Sequence, residues 1–151
     1  MTGGCASWYL DERGRNTTLW PGSTWRFRRQ TARFDADAYR VDARLTEISF
    51  GEWEGFTTEE LRQRWPVAAQ ARENDKWNFT PPKAESYATM SLRVHAWYQE
   101  LARDAVVVAH GGVLRGLLVQ LGIATPAEAP FLDVSQGVVF VIRPGSIARY
   151  A

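Results

Sequence analysis

Two stretches of the sequence combine side chains that can bind anions or move protons with glycines that allow close approach to the backbone. One stretch, Leu45–Gly55, reads LTEISFGEWEG and carries three carboxylates among aromatic residues. The other, Val106–Gly112, reads VVVAHGG and passes from an apolar run to a histidine and two glycines. Carboxylates suit either general acid–base work or a solvated loop, and a histidine suits anion binding or catalysis.

The second stretch also predicts the elements that position His110. A buried strand over Ala105–Ala109, a glycine turn and a helix over Val113–Leu121 form a β–α unit, which is typical of a parallel sheet covered by helices. Ligands gather at the carboxyl ends of such strands, and the following helix N-terminus favours an anion such as phosphate. The turn taken alone fits equally well a histidine at the edge of the core, bonded to a backbone carbonyl.

Further signals define the elements on both sides of these stretches. Thr57 and Glu60 form a capping box that predicts a helix to about Trp65, and Ser86 caps a second helix. The apolar residues of that second helix recur at spacings of three and four and are interpreted as its core face: Tyr87, Met90, Val94, Trp97 and Leu101. Strands are predicted over Ala6–Leu10 and, buried, over Val138–Ile142. The expected fold class is α/β, a three-layer sandwich with a central, mostly parallel sheet.

Length and composition favour a single domain over residues 1–151. With 18 basic and 17 acidic side chains the net charge is +1, so neither nucleic acid nor a membrane is expected as a partner. The lone cysteine, Cys5, excludes an internal disulfide, and no signal-peptide core or membrane-length apolar run is seen, which predicts a cytoplasmic protein. Neither a P-loop nor a zinc-binding spacing is present, so no cofactor or metal is expected. The H-G-G sequence is not followed by the G-x-S-x-G of an α/β-hydrolase esterase.

Taken together, the two stretches resemble the histidine phosphatase superfamily, which includes cofactor-dependent phosphoglycerate mutases and many small phosphatases. Leu45–Gly55 matches the family pattern L-x-E-x-x-x-G-x-W-E-G, and Val107–Gly112 matches V-V-x-H-G-G. Pro81–Tyr87 is similar to the P-x-G-E-S segment, with Ala84 where glycine is usual. The resemblance covers residues 37–151 and leaves residues 1–35 atypical.

The resemblance implies chemistry on a small phosphorylated substrate through a phosphohistidine. In this family a histidine within an R-H-G motif attacks phosphorus, a second histidine and two arginines hold the phosphoryl oxygens, and a carboxyl group protonates the leaving oxygen. By the same resemblance His110 corresponds to the second histidine and Glu47 to the proton donor. Phosphate binding is expected at Gly111 and at Arg28 or Arg26. A carboxyl group beside a dianionic substrate is expected to have a raised pKa, which suits a general acid near neutrality.

The nucleophile of the family pattern has no counterpart in this chain. No R-H-G sequence is present, and His95, the other histidine, is predicted within a helix at a surface or packing position. In the sequence that most resembles R-H-G, Arg13 occupies the position of the attacking histidine. A guanidinium stays protonated and therefore cannot attack phosphorus. Two interpretations therefore stay open. One is an active phosphomonoester hydrolase or phosphomutase, and the other is a non-catalytic phospho-ligand binder or truncated fragment.

Three further expectations concern the surroundings of the site. Glu52 and Glu54 are interpreted as supporting or solvated carboxylates. The segment from Gln70 to Tyr87 is expected to determine specificity. Residues 1–35 are expected to be the least ordered part of the chain.

Overall fold

The structure is a computed structural model that describes residues 41–135 and 137–150, together with the backbone of two short strands. These strands, β1 (Trp8–Leu10) and β2 (Asn16–Thr18), pair antiparallel with Tyr9 opposite Thr17. β1 lies within the strand that the sequence predicts at Ala6–Leu10, and β2 was not predicted. The expectation of low order for residues 1–35 falls almost entirely outside the described residues.

Helices provide most of the described structure, and together with the strands they make the chain α/β. The helices are α1 (Thr58–Arg64), α2 (Pro66–Asn74), α3 (Tyr87–Gln99) and α4 (Gly111–Gln120). Single turns of 3-10 helix lie at Ala43–Leu45, Gly51–Trp53 and Ala129–Phe131. In the part of the chain that the structure describes, no helix has the length and apolar character needed to cross a bilayer.

Both predicted N-caps are confirmed. The Thr57 side chain accepts a hydrogen bond from the Glu60 backbone N–H, and the Glu60 carboxylate accepts one from the Thr57 backbone N–H at 2.8 Å. This reciprocal pair satisfies two of the N–H groups that the start of α1 would otherwise leave unbonded. Ser86 likewise accepts from the Thr89 backbone N–H at 3.1 Å and begins α3.

The core is centred on the contact between α3 and α4. Met90 and Val94, on the predicted apolar face of α3, are fully buried, whereas Leu101 lies beyond the helix end and is exposed. A Cβ atom on Gly116 of α4 would come within 2.9 Å of Met90 Cε, so the two helices approach closely only because this residue is glycine. The predicted helix after His110 is confirmed, and it begins two residues earlier than expected, at Gly111.

A second antiparallel pair ends the described chain. β3 (Val139–Arg143) pairs with β4 (Ser146–Tyr150), with Val141 opposite Ala148. β3 is the strand predicted at Val138–Ile142, but it is half-exposed rather than buried. β4 was not predicted.

The strand expected at Ala105–Ala109 is not formed, and this prediction is wrong for the structure. The segment has no assigned secondary structure, and Val106 and Val107 are 87% and 42% exposed. A strand needs a neighbour for its N–H and C=O groups, and none of the described strands pairs with this segment. β-Branched composition alone therefore does not make it a buried strand. The described strands form two antiparallel pairs, so a central parallel sheet is not seen among the described residues.

Candidate functional site

The Glu47 carboxylate lies at the N-terminus of α4. Its Oε2 atom accepts a hydrogen bond from the Gly112 backbone N–H at 3.2 Å, and its Oε1 atom accepts one from the Ile48 backbone N–H at 2.9 Å. A negative charge at a helix N-terminus is stabilised by the unbonded N–H groups and by the helix dipole. The two stretches that the sequence analysis singled out therefore meet in space.

Gly112 is required for this meeting. A Cβ atom on Gly112 would lie 2.2 Å from Glu47 Oε1, a distance that would push the carboxylate away. The expectation that this helix N-terminus binds an external anion stays a prediction. The Gly112 N–H is already engaged by Glu47, so an external anion would depend mainly on side chains and on neighbouring Gly111.

His110 occupies the N-cap position of α4 and is half-buried. Its backbone is extended, and its carbonyl accepts from the Leu114 N–H at 3.1 Å to begin the helix. The same position places His110 two residues before Gly112, to which Glu47 is bonded. The structure thus brings the two predicted catalytic residues to one end of α4. The predicted phosphate ligands Arg26 and Arg28 lie outside the described residues.

Three cations near this end of α4 were not predicted as site residues, and we call Arg72, Lys76 and Arg115 the basic cluster. Arg115 Nη1 lies 3.3 Å from where a Cβ atom on Gly111 would stand. Its Nε and Nη2 atoms donate to the Leu132 carbonyl at 3.0 and 2.8 Å. Arg115 therefore lies immediately beside the residue that follows His110.

The other two members of the basic cluster come from α2 and the turn that follows it. Arg72 lies over the Phe50 ring, 5.4 Å from its centroid. Lys76 Nζ lies 4.6 Å from the centroid of the Phe131 ring and donates to the Pro130 carbonyl at 3.3 Å. Within residues 41–135 and 137–150, no salt bridge joins any of the three cations to a carboxylate.

Burial perturbs the charged state of the basic cluster. Loss of solvent lowers the pKa of Lys76, and the positive charges of Arg72 and Arg115 lower it further. Burial also lowers the pKa of Arg72, with nearby Tyr87 and Glu73 opposing the shift. Arg72 and Arg115 thus lie close enough to Lys76 to disfavour its protonated form.

Tyr87 joins the basic cluster to Glu47. The ring is buried and stacks on Trp77, with 5.9 Å between centroids and 17° between planes. Burial raises the pKa of the Tyr87 hydroxyl, the positive charge of Arg115 opposes this shift, and the negative charge of Glu47 adds to it. The hydroxyl is thus neutral near pH 7 and lies among Arg115, Arg72 and Glu47.

The sequence contained a partial signal for these residues. Arg72, Lys76 and Tyr87 all fall within Gln70–Tyr87, the segment expected to determine specificity. Arg115 stands one helical turn after Gly111, a spacing that places both on one face of a helix. What the sequence could not show is that a turn after α2 brings its cations to the start of α4.

The remaining carboxylates of the Leu45–Gly55 stretch have other partners. Glu52 pairs with Lys83 at 2.8 Å on the surface. Glu54 accepts hydrogen bonds from the Ser49 hydroxyl at 3.0 Å and the Phe50 N–H at 3.2 Å, and so shapes the loop after Glu47. In the part of the chain that the structure describes, no group of three or more His, Cys, Asp or Glu side chains is arranged to hold a metal ion.

Comparison with known proteins identifies the family of the chain. The sequence model of the histidine phosphatase superfamily (branch 1) matches residues 23–146, and the chain belongs to this superfamily. It is 36% identical over 92 residues to 6-phosphofructo-2-kinase/fructose-2,6-bisphosphatase of Caenorhabditis elegans, a match that covers 60% of this chain and 20% of that protein. Among solved structures it resembles mycobacterial glucosyl-3-phosphoglycerate phosphatase, with 28% identity, a TM-score of 0.56, and coverage of 66% of this chain and 53% of that one.

Two further similarities are weaker evidence about this chain. The α-ribazole phosphatase from Shigella flexneri shares the fold at a TM-score of 0.60 and 24% identity, over 72% of this chain and 57% of that one. A Baeyer–Villiger monooxygenase of Streptomyces coelicolor is 65% identical over 40 residues, which is 26% of this chain and 8% of that protein. The chain thus spans a quarter or less of these curated relatives and little more than half of the solved structures.

Proposed function

We propose that this chain binds a small phosphate ester between His110 and the basic cluster, with Glu47 positioned to protonate the leaving oxygen. The observation that carries the proposal is the convergence of three half-buried cations that have no carboxylate partner among the described residues. Cations removed from water lose solvation energy, and an anion would offset that loss. A phosphoryl group supplies two negative charges and several strong acceptor oxygens.

Each residue has a distinct role in this proposal. Arg115 presents Nη1 beside Gly111 and would donate to a phosphoryl oxygen next to the His110 ring. An imidazole donates one hydrogen bond when neutral and two when protonated, so His110 would stabilise the same group. Glu47 is held near the start of α4 and would act as general acid. Arg26 and Arg28 stay candidate phosphate ligands by family resemblance.

The surroundings support a phosphorylated polyhydroxy compound as the ligand. A cavity of about 300 Å³ shares Lys76 with the basic cluster, and its lining also includes Asn74, Asn78 and the exposed ring of Phe131, together with the carboxylates of Glu73 and Asp75. Amides and carboxylates bind hydroxyl groups, and an aromatic face packs against the C–H groups of a sugar. The names of two relatives, glucosyl-3-phosphoglycerate phosphatase and fructose-2,6-bisphosphatase, describe phosphorylated compounds of this class.

The missing nucleophile limits the chemistry that these 151 residues would perform alone. General acid help of the kind assigned to Glu47 contributes about 10²–10⁴-fold, whereas full enzymes accelerate phosphate monoester hydrolysis by up to about 10²¹-fold. If His110 attacked phosphorus, it would no longer hold the phosphoryl oxygens. We therefore propose binding with little or no phosphatase activity. The second candidate is an active hydrolase or phosphomutase, and the placement of Glu47 and His110 at one end of α4 supports it.

Steady-state assays of the purified chain on p-nitrophenyl phosphate and phosphoglycerate, with His110→Ala as control, distinguish these candidates. The proposal expects turnover far below the roughly 1–10³ s⁻¹ of ordinary enzymes. It also expects His110→Ala to weaken phosphate binding while the fold survives, because a half-buried residue at a helix start contributes little packing. Turnover in the ordinary range, abolished in His110→Ala, would contradict the binding-only proposal and establish the active enzyme.

The finer expectations on architecture belong to the same proposal. We propose one domain over residues 1–151 with the three-layer arrangement and a central, mostly parallel sheet. The membership of the chain in the histidine phosphatase superfamily supports it. A cytoplasmic location is proposed from the single cysteine, which suits a reducing compartment.

A further inference from the structure

Glu47 lies in a loop that has no regular hydrogen-bond ladder of its own. The loop runs from the 3-10 turn at Ala43–Leu45 to the one at Gly51–Trp53. The Glu47 bond to the Gly112 N–H spans 65 residues of sequence and is part-buried. Because irregular backbone is fixed only by the bonds it makes to neighbouring elements, the position of this carboxylate depends on tethers from outside the loop.

The tether before Glu47 is Arg93, on α3. Its Nη1 atom donates to the Arg44 carbonyl at 2.5 Å, three residues before Glu47. Its other two donors form a bidentate pair with Glu85, with Nε at 3.0 Å from Oε2 and Nη2 in close contact with Oε1. The two side chains are only 24% and 21% exposed, so the pair is shielded from solvent.

The tether after Glu47 comes from the segment that contains Glu85. The Glu85 backbone N–H points to the Ser49 carbonyl at 3.5 Å, and the Glu52 N–H donates to the Pro82 carbonyl at 3.0 Å. Gly51 has φ of +55° and packs directly on the backbone of residues 82 and 83. Glu85 therefore orients Arg93 through its side chain and contacts the Glu47 loop through its backbone.

We infer that Arg93, oriented by Glu85, is a positioning residue that holds the Glu47 carboxylate against the start of α4. The functional meaning of this inference rests on the acid role proposed for Glu47, but the positioning itself does not. Arginine is required because its planar fork binds a carboxylate with two donors and leaves a third for the Arg44 carbonyl. Lysine carries a single flexible ammonium group and would not maintain all three contacts in this geometry.

Amide hydrogen exchange at Gly112 tests the inference without turnover or ligand. The Gly112 N–H is in the first turn of α4, where no helical carbonyl protects it, so Glu47 is its acceptor. We expect Arg93→Met to accelerate Gly112 exchange about 10-fold or more, and Arg93→Lys to have an intermediate effect. The Leu121 N–H, which is bonded to the Leu117 carbonyl at the other end of α4, should keep its rate.

Two controls separate positioning from general destabilisation. Arg44→Met removes the ion pairs with Asp42 and Glu100 but keeps the backbone carbonyl that Arg93 binds, so it should leave Gly112 exchange unchanged. In a Glu47→Ala background, where Gly112 has lost its acceptor, Arg93→Met should accelerate Gly112 exchange no further.

The inference is overturned if the exchange rate of the Gly112 amide is unchanged in Arg93→Met. It is also overturned if Arg93→Met further accelerates Gly112 exchange in the Glu47→Ala background. If Arg93→Met unfolds the chain or accelerates Leu121 equally, Arg93→Lys decides. Selective acceleration of Gly112 in Arg93→Lys supports positioning, and equal or absent acceleration of both amides overturns it. A failure to bind phosphate would overturn the proposed function and leave this result intact.

Discussion

Five cations in the described part of the chain are half-buried, and they fall into two groups. Arg44 and Arg93 each bind carboxylates, Arg44 to Asp42 and Glu100 and Arg93 to Glu85. Among the described residues, Arg72, Lys76 and Arg115, the basic cluster, form no salt bridge, and their contacts are with backbone carbonyls and aromatic rings. In the first group Arg93 ties the Glu47 loop to α3, and in the second group Arg115 lies beside Gly111, the residue after His110.

The difference between the two groups indicates what each one does. Hydrogen bonds to Glu100 and Asp42 raise the pKa of Arg44, so this charge is compensated within the fold. Burial lowers the pKa of Lys76 and Arg72, and no carboxylate among the described residues forms a salt bridge with either side chain. A cation that the fold itself does not neutralise is available to an anionic ligand. Substitution of Arg93 should therefore change the positioning of Glu47, and substitutions in the second group should change anion binding.

The largest expected effect is loss of phosphate binding in Arg115→Met. Charge-assisted hydrogen bonds contribute about 1.5–3 kcal/mol each, which corresponds to roughly 10- to 100-fold in the dissociation constant. Isothermal titration with inorganic phosphate measures it. Arg44→Met is the matched control, because it removes a half-buried arginine of the first group, and its dissociation constant should stay within about 2-fold. Equal losses in the two variants would erase the distinction between the groups.

A smaller effect is expected in the pH dependence of binding. Because burial and two neighbouring cations lower the pKa of Lys76, the free chain loses this proton below the ordinary value of 10.5. Phosphate affinity should therefore be highest below that lowered pKa and fall several-fold as the pH rises through it. Lys76→Arg should bind equally well at neutral pH and lose this decline, since a guanidinium stays protonated. Parallel pH profiles for the two proteins would show that Lys76 does not contact the anion.

The sequence correctly predicted those secondary-structure elements that are determined by residues close together in the chain. The Thr57 capping box, the Ser86 cap and the helix after His110 are confirmed, because each depends on neighbouring residues. The strand at Ala105–Ala109 failed because a strand depends on a partner distant in sequence, and β4 was missed for a similar reason. Alternation and β-branching indicate what a segment can become, but pairing decides it.

The candidate site was predicted in part for the same reason. The resemblance of two motifs to those of the family predicted Glu47 and His110 as site residues. In the structure, the two stretches that carry them meet through the hydrogen bond from the Gly112 N–H to Glu47. Arg72, Lys76 and Arg115 were missed because no single stretch contains them, and isolated cations are ordinary surface residues. Only the approach of the turn after α2 to the start of α4 makes them one cluster.

The most direct test of the central claim is a nuclear magnetic resonance titration of the labelled chain with inorganic phosphate, following the Nε–Hε signals of its arginines. The account predicts that Arg72 and Arg115 shift and saturate with one common dissociation constant, together with the His110 ring. Arg44 and Arg93, which are held by carboxylates, should not move. If all four arginines shift alike without saturating, or if Arg44 and Arg93 respond while Arg72 and Arg115 do not, the claim that the basic cluster beside His110 binds phosphate is contradicted.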